Sequence, residues 1–142
     1  MRLTDAAGNS SANTGTTAYV LDTTAPTVSS IAISSANGIQ SNTLNAGDVL
    51  SVTVTMSEVV NITGIPNLAL NIGGKIVQAA YASGTGSSNL VFNYKILANQ
   101  TDIDGISINA NALSLSGSTT IIDVAGNAAS ITHSAVTNNS SY

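Results

Sequence analysis

Apolar side chains in this chain recur at every second position, and no window carries an apolar stripe of helical period, which restricts it to folds built from half-buried strands. Leu50, Val52, Val54 and Met56 alternate with Ser51, Thr53 and Thr55. Leu68, Leu70 and Ile72 alternate with Ala69 and Asn71. Leu90, Phe92, Tyr94 and Ile96 form an inward set, with Asn93 and Lys95 outward. Ile31 and Ile33, then Leu113 and Leu115, repeat the pattern. Such alternation places one face of each strand on a core and the other in water. Between the runs lie turn clusters: Ser35-Ala36-Asn37-Gly38, Asn45-Ala46-Gly47-Asp48, Gly73-Gly74 and the stretch from Ser83 to Ser88. Glycine and asparagine there supply the positive φ of tight turns. The pattern predicts strands near 28–34, 49–57, 67–73, 75–82, 89–97, 106–109, 112–116, 119–123 and 129–136. Short strands at this spacing predict an all-β fold, a sandwich of about seven to nine antiparallel strands.

Charge is scarce enough to exclude whole classes of function. Only 7% of the 142 residues are charged, where a typical domain has about 25%. The three basic residues, Arg2, Lys75 and Lys95, are too few for a phosphate-binding face, so nucleic acid is not a partner. There is no cysteine, hence no disulfide, no thiolate metal site and no thiol nucleophile. The apolar runs are only a few residues long, too short for membrane insertion as a helix. No signal peptide is visible at Met1-Arg2-Leu3-Thr4-Asp5, which leaves a start inside a longer chain or an export signal elsewhere. Seven acids remain, Asp5, Asp22, Asp48, Glu58, Asp102, Asp104 and Asp123. With so few cations to pair them, each needs solvent, a backbone donor or a bound cation.

The chain also contains a partial repeat. Thr4-Asp5-Ala6-Ala7-Gly8-Asn9 matches Ile122-Asp123-Val124-Ala125-Gly126-Asn127. The separation is that of one whole sandwich and not of a solenoid unit. Residues 1–21 therefore read as the tail of a preceding repeat and 22–27 as a linker. Residues 28–142 read as the sandwich itself. Pro26 fixes its own φ and biases Ala25 to extended geometry, which suits a stiff junction.

Five phrases in order carry a resemblance. They are Leu21-Asp22-Thr23-Thr24-Ala25-Pro26-Thr27, Asn45-Ala46-Gly47-Asp48-Val49-Leu50, Val54-Thr55-Met56-Ser57-Glu58, Thr101-Asp102-Ile103-Asp104-Gly105-Ile106 and Ile122-Asp123-Val124-Ala125-Gly126-Asn127. Together they resemble the bacterial immunoglobulin-like repeats that stand in tandem in giant surface adhesins of the repeats-in-toxin class, exported by type I secretion. The resemblance implies an immunoglobulin-like sandwich, a location outside the cell on the bacterial surface, and calcium at domain junctions. It also implies a role as an extender that carries a distal ligand-binding region for adhesion and biofilm formation. The glycine-rich nonapeptide calcium repeats of such adhesins are absent from this sequence.

An up-and-down reading of the strands sorts the acids to the two ends of a rod. Asp22, Glu58 and Asp123 fall at the linker pole, with Asn127 and loop carbonyls as neutral donors. Asp48, Asp102 and Asp104 fall at the opposite pole, where adjacent copies of the repeat would meet it. Asp5 heads the equivalent turn of the preceding copy. Calcium takes six to eight oxygens at about 2.3–2.6 Å, so either set is a candidate for holding one. The competing reading is a plain turn, since Asp-x-x-Gly-Asn caps itself with its own side chains. Asp102-x-Asp104-Gly105 opens like an EF-hand loop, but the twelfth position is Leu113, which excludes it.

Catalysis has little to stand on. His133 is the single histidine and sits in Ile131-Thr132-His133-Ser134 with no nucleophile motif, so it reads as a surface or edge residue. Tryptophan is absent, and Phe92 and Tyr94 keep register with the core, which argues against a sugar platform. The alternative to an extender is a ligand-binding sandwich module, for carbohydrate or protein, of an adhesin or secreted enzyme. One further expectation concerns the tail. If the repeat closes with a strand like Thr16–Leu21, this copy stops at Tyr142 before most of it. The surplus tail strand could then fill the vacant edge, in the same molecule or by strand exchange with a neighbour.

Overall fold

The computed structural model describes residues 4–10, 15 and 18–142. Its strands are β1 (Val28–Asn37), β2 (Val49–Thr63), β3 (Asn67–Ile72), β4 (Lys75–Ser83), β5 (Ser87–Lys95), β6 (Ile106–Ile108), β7 (Leu113–Ser114), β8 (Thr120–Ile122) and β9 (Val136–Asn139). The main path runs β1-β2-β5-β4-β3-β6-β9, with β7 on β3 and β8 on β2. Every strand pair is antiparallel, and β9 comes back into contact with β1. The result is an all-β, immunoglobulin-like sandwich, nearly closed on itself, with no helix among the described residues.

The alternation seen in the sequence is the burial pattern. Leu50, Val52, Val54, Leu68, Leu70, Leu90 and Phe92 are wholly buried. Tyr81 packs edge-on to Phe92, with ring centroids 5.7 Å apart, the arrangement the ring quadrupoles favour. The Gly73-Gly74 hairpin forms as expected, with φ of 56° and 80°, a type I′ geometry matched to the twist of its strands. Gly73 is further required because a Cβ there would collide with the Thr101 carbonyl.

Two elements differ from the expectation. The second strand continues to Thr63, pairing β5 as far as Thr55, then Ser87 at Val60, then β8 from Asn61. It changes partners through a break in register between Thr55 and Val60. The last strand begins at Val136, not near 129. Residues 128–130 pass between β8 and the chain entering β1. Ala129 N–H donates to Ile121 O at 2.9 Å and Ser130 N–H to Pro26 O at 2.8 Å. One bond to each side makes a seam and not a ladder. Leu115 also lies outside its short strand and is 36% exposed.

Candidate metal centre

Three carboxylates separated along the chain meet at the linker pole. One oxygen from each of Asp22, Glu58 and Asp123 lies within 4.8 Å of the others. Two oxygens bound to one calcium at about 2.3–2.6 Å are at most about 5.2 Å apart, so the spacing fits a shared ion. Among the described residues this is the only such group of three or more acids or histidines.

Each side chain arrives by a different route. Glu58 keeps the even-numbered phase of Leu50, Val52, Val54, Met56 and Val60, the inward row of β2. It lies where the β2–β5 register breaks, and a bulge of this kind re-aims a side chain. Asp22 starts the linker, which is pinned to the pole. Its carbonyl accepts from Asn127 Nδ2 at 3.1 Å and its Oδ1 from Thr24 N–H at 2.9 Å. Thr27 N–H donates to Ser57 Oγ at 2.9 Å, and Pro26 is buried. Asp123 follows β8 and is only 3% exposed. Its two oxygens accept from Asn127 N–H and Asn127 Nδ2, both at 2.7 Å.

The electrostatics separate the three acids. Burial works against charge on Asp123, but the side-chain and backbone bonds from Asn127, with the Gly126 and Ala125 amides, outweigh it and hold its carboxyl below the usual range. Burial raises Glu58, and the neighbouring charges of Asp22 and Asp123 raise it further. Lys75 and Lys95 lie at the other end of the sandwich, on the β3–β4 turn and the end of β5, too far to neutralise this group. A divalent cation would relieve that repulsion and find several oxygens already converged.

The remaining sequence candidates go elsewhere. Asp5 forms a turn bonded as Asp123 is. In both, the Asp N–H reaches the Asn carbonyl, at 2.9 Å and 3.1 Å, and the Gly N–H reaches the Asp carbonyl, at 3.0 Å and 3.3 Å. Asp5 Oδ1 and Oδ2 accept from Asn9 N–H at 2.9 Å and Asn9 Nδ2 at 3.0 Å. The motif is therefore a self-contained turn, and only the copy at Asp123 gains Glu58 and Asp22. At the opposite pole Asp102 accepts from Gly73 N–H at 2.7 Å and Gly105 N–H at 3.0 Å, bracing two turns. Asp104 bonds Asn138 Nδ2. Asp48 accepts from Asn45 N–H at 2.7 Å. Asp104 N–H also donates to Asp102 Oδ1 at 3.3 Å, so these acids brace loops and a strand, and they do not converge as the linker-pole acids do.

His133 has a structural role that the sequence does not signal. Its Nε2 accepts from the amides of Ala112 and Leu113, at 2.8 Å and 3.2 Å, and Nδ1 faces Ser134 O at 2.8 Å. Nδ1 therefore carries the proton. His133 N–H donates to Asn111 Oδ1 at 3.0 Å, and its carbonyl accepts from Asn111 N–H at 3.1 Å. Four bonds thus tie the approach to β9 to the β6–β7 turn.

No protein-family model, no curated protein and no solved structure matches the chain. The fold and the acidic cluster therefore stand on their own geometry.

Proposed function

We propose that the chain is a non-catalytic extender module of a large bacterial surface adhesin, stiffened by calcium where one module joins the next. The observation that carries this reading is the meeting of Asp22, from the linker, with Glu58 and Asp123, from the sandwich. An ion held there ties the linker to the module body and replaces a swivel with a joint. The oxygens are hard donors, as calcium prefers, and Asn127 organises two of them. The cell-surface location and export by type I secretion rest on the five-phrase resemblance. The far pole is the face presented to the next copy in a tandem array.

A second reading rests on one feature. A cavity of about 390 Å³ opens at the far pole, floored by Leu44, Ile72, Ile96 and Ile106 and edged by Asp102 and Tyr142. Its size falls within the range of small-ligand sites. Tyr142 is its single aromatic, which is little for a sugar platform, so the extender reading carries more.

Calorimetric titration of calcium into the chain, and thermal melts with calcium or chelator, test the proposal. Saturation near one hundred times Kd adds about 2.7 kcal/mol, so the Tm should rise by roughly 5–12 °C for a chain of this size. Absence of both heat and shift would sink the calcium joint. Heat that persists unchanged in Glu58→Gln and Asp123→Asn would place the ion elsewhere.

A further inference from the structure

The sandwich is closed at the linker pole and open along one side. Thr27 and Ser130 form a parallel bridge, and beyond it β1 and the chain leading to β9 diverge. An open groove of about 570 Å³ lies between them, lined by Val28, Ile31, Asn111, His133 and Val136 among others. Val28, Ile31 and Val136 are half-buried, while their cross-strand partners Met56, Val54 and Ile108 are buried. Among the described residues β1 ladders only with β2 and meets β9 without a ladder, so its outer edge has no strand partner. Edge strands are usually guarded by charge or proline, and Val28–Asn37 has neither. Its regular run from Ser30 to Ile33 lies between two register shifts and is long enough to template a short strand.

The same molecule carries an apolar segment that lies exposed among the described residues. Tyr19, Val20 and Leu21 are 89%, 94% and 89% exposed. The segment lies exposed and lines no part of its own groove. We propose that the groove takes Ala18–Leu21 of a second copy of the chain as an added strand beside β1. The charge match is neutral on neutral: no acid or lysine lines the groove, and Ala18–Leu21 has no charge. A strand in that position shields the half-buried Val28 and Ile31 and pairs the free edge. Two copies can exchange tails reciprocally or pass them head to tail. A four-residue strand gives an interface at or below the low end of the range for stable complexes, about 1,200 Å², so the association is weak and depends on concentration. None of the groove residues belongs to the acidic cluster, so the association needs no calcium.

Sedimentation velocity from about 10 μM to about 1 mM, which spans weak dissociation constants, should show growing dimer or higher species in the intact chain with chelator present. Val20→Lys, at a residue exposed in the monomer, should remain monomeric and fully folded by circular dichroism. Ile76→Lys, on the exposed face of β4, should associate as the parent does. The chain has no cysteine of its own, so Val20→Cys and Ser30→Cys chains can be mixed and oxidised. The mixed disulfide should exceed that from Val20→Cys with Ile76→Cys several-fold. A strict monomer throughout overturns the proposal. So does association that survives Val20→Lys, since another element then occupies the groove, and so does equal cross-linking to both partners.

Discussion

Glu58 sits in the inward row of β2, where the strand's period would place a hydrophobic residue. Burial first, and then the charges of Asp22 and Asp123, oppose its charge, so in the ion-free protein it binds a proton more tightly folded than unfolded. The unfolded value is about 4.3. Its contribution is therefore full below that pH and is lost as pH rises through the raised folded value. Asp123 and Asp5 act oppositely, because their folded values are depressed. Their stabilisation is present above about pH 3.9 and is lost as pH falls through the lower folded values. Denaturant titrations between pH 3 and 8 with chelator should show both limbs. Glu58→Gln should flatten the upper limb, raise ion-free stability at neutral pH and remove most of the calcium-dependent gain. A Glu58→Gln profile superimposing on the parent would refute that assignment. Asn127→Ala removes the Nδ2 donor from Asp123 Oδ2 and from the Asp22 carbonyl and leaves only the backbone N–H on Asp123 Oδ1. Removing such a supporting residue typically costs about 10–100-fold in metal affinity, and calorimetry would read this directly. The sequence marked Asp123 and Asn127 as a turn. It put Asp22 and Glu58 at the same pole, but could not show that their oxygens come within 4.8 Å of those of Asp123.

At the scale of the element, the strands were legible because burial on one face imposes a period of two. Seven of them begin and end within about three residues of the pattern's limits. The failures came where the chain trades partners. β2 passes from β5 to β8, and residues 128–130 give single bonds to two neighbours, so neither stretch has a uniform environment to write into its side chains. His133 belongs to the same region. His133→Ala leaves the Ala112 and Leu113 amides without an acceptor, and a lost bond of this kind costs about 1–3 kcal/mol. Urea unfolding should show that loss, with amide exchange fastest in β9 and the β6–β7 turn. Unchanged protection there would mean that the clasp contributes nothing. Gly73→Ala tests the hairpin. The positive φ and the collision with Thr101 act together, so a loss of about 2 kcal/mol or more is expected, beyond what Gly74→Ala costs in open space.

At the scale of the whole molecule, the acids are unevenly used. Those at the far pole brace turns one by one, while those at the linker pole converge on one point. A chain carrying two copies in tandem should therefore stiffen with calcium. Small-angle scattering should give a larger maximum dimension and a narrower distribution with the ion than with chelator, and identical curves would count against the joint. The amino-acid sequence by itself determined the all-β fold, most strand positions, the turn chemistry and the poverty of charge, because each is written in local spacing. It also placed Asp22, Glu58 and Asp123 at one pole. Tertiary structure alone decided that their oxygens come within the reach of a single ion. It also left the outer edge of β1 without a strand partner while Tyr19, Val20 and Leu21 stay exposed. Those outcomes depend on a register break in β2, a pinned linker and a seam between β8 and the chain entering β1. They are contacts between residues far apart in the chain, and no local pattern encodes them.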